Sequence, residues 1–159
     1  MRLALPIDLT IEFEDLALGK QSQDLNREVG DFVLRRRDGV FAYQLAVVVD
    51  DAEQSINHIV RGLDLLNNTA RQIHLQGILG YTTPSYLHLP VVLDAHGEKL
   101  SKQTLASAIK TENTQEALKE LRKAAKHLGL KELPDGKATS TAEWLLAATQ
   151  AWERKIISS

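Results

Sequence analysis

The stretch that decides the fold is INHIVRGLDLLNNTARQIHLQGILGYTTPSYLHLPVVLDAHGEKLSKQ, residues 56–103. INHIVRG is a short apolar run closed by Arg61 and Gly62, and it predicts a buried strand ending at Gly62. NNTARQIHLQGILG predicts a helix: Asn67 or Asn68 can cap it, Ile73, Ile78 and Leu79 recur along it, and Gly80 stops it. YLHLPVVLD predicts the next strand, followed by the DAHG turn and then Lys99, Leu100, Ser101, Lys102 and Gln103. Strands alternating with a helix place this part of the chain in the α/β class.

Upstream, IDLTIEF alternates, so Ile7, Leu9, Ile11 and Phe13 share one face of a half-buried strand and Asp8, Thr10 and Glu12 the other. DLALGKQSQD reads as a loop, and DFVLRRRDG as a second short strand closed by an Asp38-Gly39 turn. FAYQLAVVVDDAEQS is ambiguous: Val47, Val48 and Val49 favour a strand by propensity, whereas DDAEQS looks like the end of a short helix. Downstream the character changes. NTQEALKELRKAAKHLG predicts an amphipathic helix capped by Asn113, with Glu116 at the capping-box position, Leu118, Leu121, Ala125 and Leu128 as its buried stripe, and Gly129 at its end. STAEWLLAATQAWERKII repeats the plan: Ser140 and Glu143 form a capping box, and Trp144, Leu145, Ala148 and Trp152 line one face. The expected organisation is an α/β domain over 1–102 and an all-helical module over 103–159, with LPDGKATS as the linker between its helices.

Composition narrows the function classes. The 159 residues carry 19 basic and 21 acidic side chains, a balance with no global pull toward nucleic acid or membrane. The absence of cysteine removes disulfides and thiolate metal sites. The five histidines are scattered without HxxxH or HExxH spacing, so no metal site is expected in this chain. No apolar run approaches the roughly 20 residues that span a bilayer. Pro6 and Asp8 interrupt the amino-terminal stretch too early for a signal peptide, and the expected compartment is the cytoplasm.

Four features bear on chemistry. Lys99 and Lys102 flank Leu100 and Ser101 after a glycine turn, so two flexible point charges can close on one polyphosphate, or simply face solvent. Arg61 at the end of an apolar strand needs an anion: a carboxylate of this chain such as Asp64 or Asp51, or a substrate carboxylate held bidentately. Tyr43 is either a core tyrosine with a satisfied hydroxyl or a ligand contact. Arg35, Arg36 and Arg37 form a solvated strand end or a contact to RNA phosphates.

Taken together, DFVLRRRDGVFAYQLAVVVDD, INHIVRGLDLLNNTARQIHLQGILG and YLHLPVVLDAHGEKLSKQ resemble the second half of the catalytic core of the class I glutamyl-tRNA synthetase family, in one order from about Gly30 to Gln103. The wording of QDLNREVGDFVLRRRDG and FAYQLAVVVDD is closest to the family's short branch, which places glutamate on queuosine in tRNA(Asp). The resemblance implies a Rossmann-type nucleotide-binding core with a β-rich connecting segment and a following helical module. It puts KLSKQ, 99–103, where the family's KMSKS-type loop binds ATP, with Leu100 in place of the usual methionine. Tyr43 and Arg61 match a tyrosine and an arginine that contact glutamate. It also favours a short helix over a strand around Ala46–Asp51.

The implied chemistry is ATP-dependent activation of glutamate with Mg²⁺, then transfer to tRNA. Lys99 and Lys102 would stabilise the departing pyrophosphate. The family's HIGH-type motif and zinc site are not found in these residues and are expected in an amino-terminal half. Missing that half, the chain is expected to self-associate, to need it, or to be only moderately stable, and to have little activity alone. The alternative is a tRNA-binding or interaction module of the same ancestry that does no catalysis.

Overall fold

A computed structural model of the chain describes residues 1–94, 96–100, 108–109, 111–131, 133 and 140–157. Its contacts divide the chain into two units, Met1–Leu89 and Pro90–Ser159. The first unit contains β1 (Arg2–Leu3), β2 (Thr10–Asp15), β3 (Gly19–Asp24), α1 (Leu25–Glu28), β4 (Phe32–Val33), α2 (Tyr43–Glu53), β5 (His58–Gly62), α3 (Leu66–Leu79) and β6 (Ser85–Leu89). β1 and β4 form an antiparallel pair, and a mixed four-stranded sheet runs in the order β3-β2-β6-β5. β6 is parallel to both β2 and β5, and β3 is antiparallel to β2. Parallel neighbours cannot be joined by a tight turn, and α3 is the crossover that carries the chain from β5 back to the start of β6.

The strand–helix–strand order read over 56–94 therefore holds, with corrections of detail, the last strand ending at Leu89. β5 lies at the sheet edge, and Val60 is 61% exposed rather than buried. The covered face of α3 is Thr69, Ala70, Gln72, Leu75 and Gln76, whereas Ile78 and Leu79 are exposed. Neither Asn67 nor Asn68 caps α3. The helix continues out of a 3₁₀ turn at Leu63–Leu65 and has no side-chain cap. Gly80 ends it as predicted, in the left-handed conformation at φ 71°.

Two further expectations change at the amino-terminal end. Ile7 is 90% exposed in a turn through Asp8, so the strand begins only at Thr10. Asn26 holds that turn by accepting from Leu9 N–H at 2.6 Å and donating to the Pro6 carbonyl at 2.8 Å. The segment DLALGKQSQD is not a loop: Gly19–Asp24 is a strand paired along its length with β2. Its side chains are almost all polar, and pairing to β2 rather than propensity makes it a strand. The ambiguous segment folds as α2 across eleven residues. Three valines cost a helix a few tenths of a kcal/mol each, about 2 kcal/mol at most. Val48 is 2% exposed against Phe32 and Leu75, and burying one such side chain contributes about 1.5–3 kcal/mol. Tertiary burial wins.

His74 on α3 has a buried Nε2 with no partner among the described residues, and burial lowers its pKa from the ordinary value. The unfolded chain then binds a proton at higher pH than the folded chain does. Stability therefore falls as pH drops through the ordinary histidine value, about 6.5. Melting curves on a pH series should show that acid-side loss, and His74→Asn should reduce it.

The second unit begins with a hairpin. Leu100 N–H donates to the Val92 carbonyl at 2.9 Å and Asp94 N–H to the Glu98 carbonyl at 2.8 Å. Asp94 Oδ1 ties the tip by accepting from His96 and Glu98 N–H at 2.8 and 2.9 Å. Gly97 sits at φ 81°, a conformation that favours glycine. α4 (Thr114–His127) and α5 (Thr141–Ile157) follow. Asn113 caps α4 as predicted, accepting from Gln115 and Glu116 N–H, and Ser140 accepts from Glu143 N–H at 3.2 Å. Leu118, Ala125 and Trp144 form the core of the pair. Leu145 is 46% exposed, and Ala151 takes its place, because 144, 148 and 151 share one face of a helix and 145 lies off it. Trp144→Ala should destabilise this unit by about 3–5 kcal/mol, measured by denaturant melting. No described helix is long and apolar enough to cross a membrane.

Candidate active site

Arg61 leaves β5 on the face that α3 covers, and register decides its neighbours. In the parallel ladder Arg61 lies beside His88 and Ile59 beside Tyr86, while Asp15 of β2 pairs with Tyr86 from the other side. Paired residues of adjacent strands share a face, so Asp15, Tyr86, His88 and Arg61 converge under α3.

The guanidinium is fully committed on one side. Nε donates to His88 Nε2 at 3.0 Å, Nη1 to Gln72 Oε1 at 2.7 Å and Nη2 to Thr69 Oγ1 at 2.8 Å. Its carbon lies 5.2 Å from the centre of the Tyr86 ring, and the Tyr86 hydroxyl accepts from Gln76 Nε2 at 3.1 Å. Gln72 is held in turn: its Nε2 donates to Gln44 Oε1 at 3.0 Å, and Gln44 Nε2 donates to Asn68 Oδ1 at 2.7 Å. Asn68 Oδ1 also accepts from Arg71. Every amide in this chain points its oxygen toward Arg61, which fixes Gln72 as an acceptor there.

The residue pattern left Arg61 a carboxylate of this chain or a substrate carboxylate, and among the described residues its hydrogen-bond partners do not include the Asp51 carboxylate. All three hydrogen-bond partners are uncharged groups. Asp51, on α2, acts through space. Burial pushes its carboxyl above the ordinary value, the Arg61 charge pulls it back, and Asp50 pushes it up again. Among the described residues, one N–H on each terminal nitrogen of Arg61 remains uncommitted.

Tyr43 is the first residue of α2 and is 53% exposed. Tyr43, Arg61 and Asp51 all act electrostatically on the buried Tyr86 phenol, whose pKa is raised chiefly by its burial. Tyr43 and Arg61, 18 positions apart in the chain, thus both lie within electrostatic reach of Tyr86. Asp15, His88, Gln72 and Thr69 were not foreseen. The signal was present only as Tyr86 and His88 at a spacing of two in a strand, which puts a histidine on the covered face. Lys99 pairs with Leu93 in the hairpin of the second unit. Leu100 is 42% exposed there, and Ser101, Lys102 and Gln103 lie outside the described residues.

A mixed sheet with helices packed on it fits what comparison finds. Residues 1–126 match the family of class I tRNA synthetases for glutamate and glutamine, catalytic domain, and the chain belongs to that family. Among curated relatives, a glutamyl-Q tRNA(Asp) synthetase of Burkholderia cenocepacia is 55% identical over 148 residues, which are 93% of this chain and 49% of that protein. One from Verminephrobacter eiseniae is 57% identical over 148 residues, 92% of this chain and 48% of that protein. Among solved structures, the glutamate-tRNA synthetase of Elizabethkingia anophelis matches with a TM-score of 0.57 at 35% identity, covering 64% of this chain and 21% of that one. A glutamate tRNA ligase from Elizabethkingia meningosepticum, solved in complex with its amino acid, matches with a TM-score of 0.58 at 35% identity, covering 64% of this chain and 20% of that one. The chain spans about half the length of the curated relatives it matches.

Proposed function

We propose that this chain carries part of the active centre of a ligase that activates glutamate with ATP and transfers it to queuosine in tRNA(Asp). The observation that carries the reading is Arg61: a guanidinium held by three neutral partners and an aromatic face, with N–H groups to spare among the described residues. The names of the relatives supply the substrate, and the half of their length that this chain does not span supplies the rest of the site. In this reading the fold is the second half of a Rossmann-type core, and the helices after 103 are the module that follows it.

Arg61 and Tyr43 receive a carboxylate and a polar group of glutamate. The reacting carboxylate oxygen attacks the α-phosphorus of ATP, the bond to the bridging oxygen breaks, and pyrophosphate leaves. Lys99 and Lys102, with Leu100, Ser101 and Gln103 between and beside them, hold the phosphates and balance the charge that grows on the leaving group. Magnesium bound to the phosphates would add charge neutralisation to that supplied by Lys99 and Lys102. Activated glutamate then passes to the tRNA nucleophile. The protein's work is alignment and charge neutralisation.

Joining the chain to the unmatched portion of the Burkholderia cenocepacia relative, fused or as two polypeptides, should produce glutamate-dependent ATP–pyrophosphate exchange that neither piece shows alone. A folded complex without exchange would overturn the proposal. One observation favours a second reading: Arg2, Arg35, Arg36 and Arg37 line a single cavity of about 470 Å³ in the first unit, a basic surface suited to RNA phosphates. Salt-sensitive tRNA binding by the chain with no exchange in the complex would select it.

A further inference from the structure

We propose that Asp15 and His88 are positioning residues that aim Arg61 at its carboxylate ligand while leaving its charge unspent. The proposal deepens the reading of Arg61 as a glutamate contact and rests on it for its functional arm.

The geometry is directional. His88 Nε2 lies 3.0 Å from Arg61 Nε, and an arginine N–H can only donate, so Nε2 must be the bare nitrogen. The ring proton is then on Nδ1, which lies 2.6 Å from Asp15 Oδ2. Both side chains are wholly buried, at 0% exposure. Asp15 is itself over-determined. Its Oδ2 also accepts from His88 N–H at 3.1 Å, and its Oδ1 accepts from Ala17 and Leu18 N–H at 3.0 Å each. Those last two bonds close the turn between β2 and β3, so the carboxylate is anchored to the backbone of that turn and of β6. Tyr86 stacks near His88, with ring centres 6.3 Å apart and planes 11° from parallel.

Why place an imidazole between a carboxylate and a guanidinium? A direct pair would be stronger, but it would occupy and neutralise the arginine. The interposed ring passes orientation without contact between the charges. Arg61 keeps its charge for a ligand and its planar fork stays fixed before the ligand arrives, which lowers the ordering cost of binding. The arrangement works only while His88 is neutral. A second proton would remove the acceptor and set a cation 3.0 Å from Arg61. The charged and titratable groups facing this ring are Asp15 on β2, Arg61 on β5 and Tyr86 on β6, with Tyr43 and Asp51 of α2 acting on Tyr86; α3 contributes uncharged Thr69, Gln72 and Gln76.

The test begins with ¹⁵N NMR of the imidazoles in the 159-residue chain. The unmodified protein should show His88 protonated on Nδ1, with Arg61 Nε–H protected from solvent exchange. In Asp15→Asn the amide keeps its oxygen on the Ala17 and Leu18 N–H groups and turns its NH₂ toward the ring, where the His88 backbone N–H loses its 3.1 Å acceptor. The tautomer should invert, and the Arg61 Nε–H protection should be lost. If Asp15→Asn does not fold, His88→Phe, which leaves Arg61 Nε without its acceptor, should show the same loss. In the complemented ligase, either variant should raise KM for glutamate about tenfold or more and leave kcat within about twofold, a split that general destabilisation does not produce. An Nε2-protonated ring in the unmodified protein, or Arg61 protection that survives in the variants, would overturn the positioning role. The expected NMR result together with an Arg61 substitution that leaves glutamate use intact would sink the glutamate reading and spare the relay.

Discussion

Arg61→Lys should raise KM for glutamate about 100-fold in the complemented ligase, with a smaller change in kcat. The charge is retained, so the loss measures geometry. Arginine offers directed N–H groups on three nitrogens, and this site uses every nitrogen: Nε on His88, Nη1 on Gln72 and Nη2 on Thr69. Lysine has one nitrogen on a flexible stem and cannot both satisfy those acceptors and present a paired fork. A hydrogen bond between charged partners is worth about 1.5–3 kcal/mol, and each 1.4 kcal/mol is about tenfold. Losing a bidentate pair therefore accounts for about two orders of magnitude. The same variant should melt lower, because buried acceptors on His88 and Thr69 lose their donor. Glutamate KM unchanged within about twofold would remove Arg61 from the substrate site.

Lys102→Ala should slow glutamate-dependent ATP–pyrophosphate exchange by about 100-fold to 1,000-fold, the size of loss seen when one donor aimed at developing charge is removed. KM for glutamate should stay nearly constant, since this lysine is assigned to the phosphates and not to the amino acid. The contrast with Arg61→Lys is the useful part. One variant should act mainly through glutamate affinity and the other mainly through turnover. If Lys102→Ala exchanged pyrophosphate at the unmodified rate, the KLSKQ segment would be a solvated loop, and the ATP-binding assignment of Lys99–Gln103 would fall with it.

The two helices of the second unit were legible from the sequence almost to the residue. Asn113 and Ser140 cap them, and Leu118, Ala125 and Trp144 bury as periodicity requires, because caps and stripes are local properties of a helix. The crossover unit from His58 to Leu89 was legible in element order and in its stop at Gly80, but its cap and its covered face were not. β3 was not, since a strand of Lys20, Gln21, Ser22, Gln23 and Asp24 carries no local signal and exists through its ladder with β2. α2 was decided by burial of Val48 against local preference.

The same division runs through the candidate site. Sequence alone determined that the chain holds an α/β unit and a helical pair, and it singled out Arg61 and Tyr43 by their resemblance to family contacts. It could not place Asp15 beside His88, because 73 positions separate them and only strand register joins them. Nor could it show that Arg61 rests on neutral partners. That was decided by the parallel pairing of β5 with β6 and of β6 with β2, which sets Arg61, His88 and Asp15 on one covered face and leaves the guanidinium its charge.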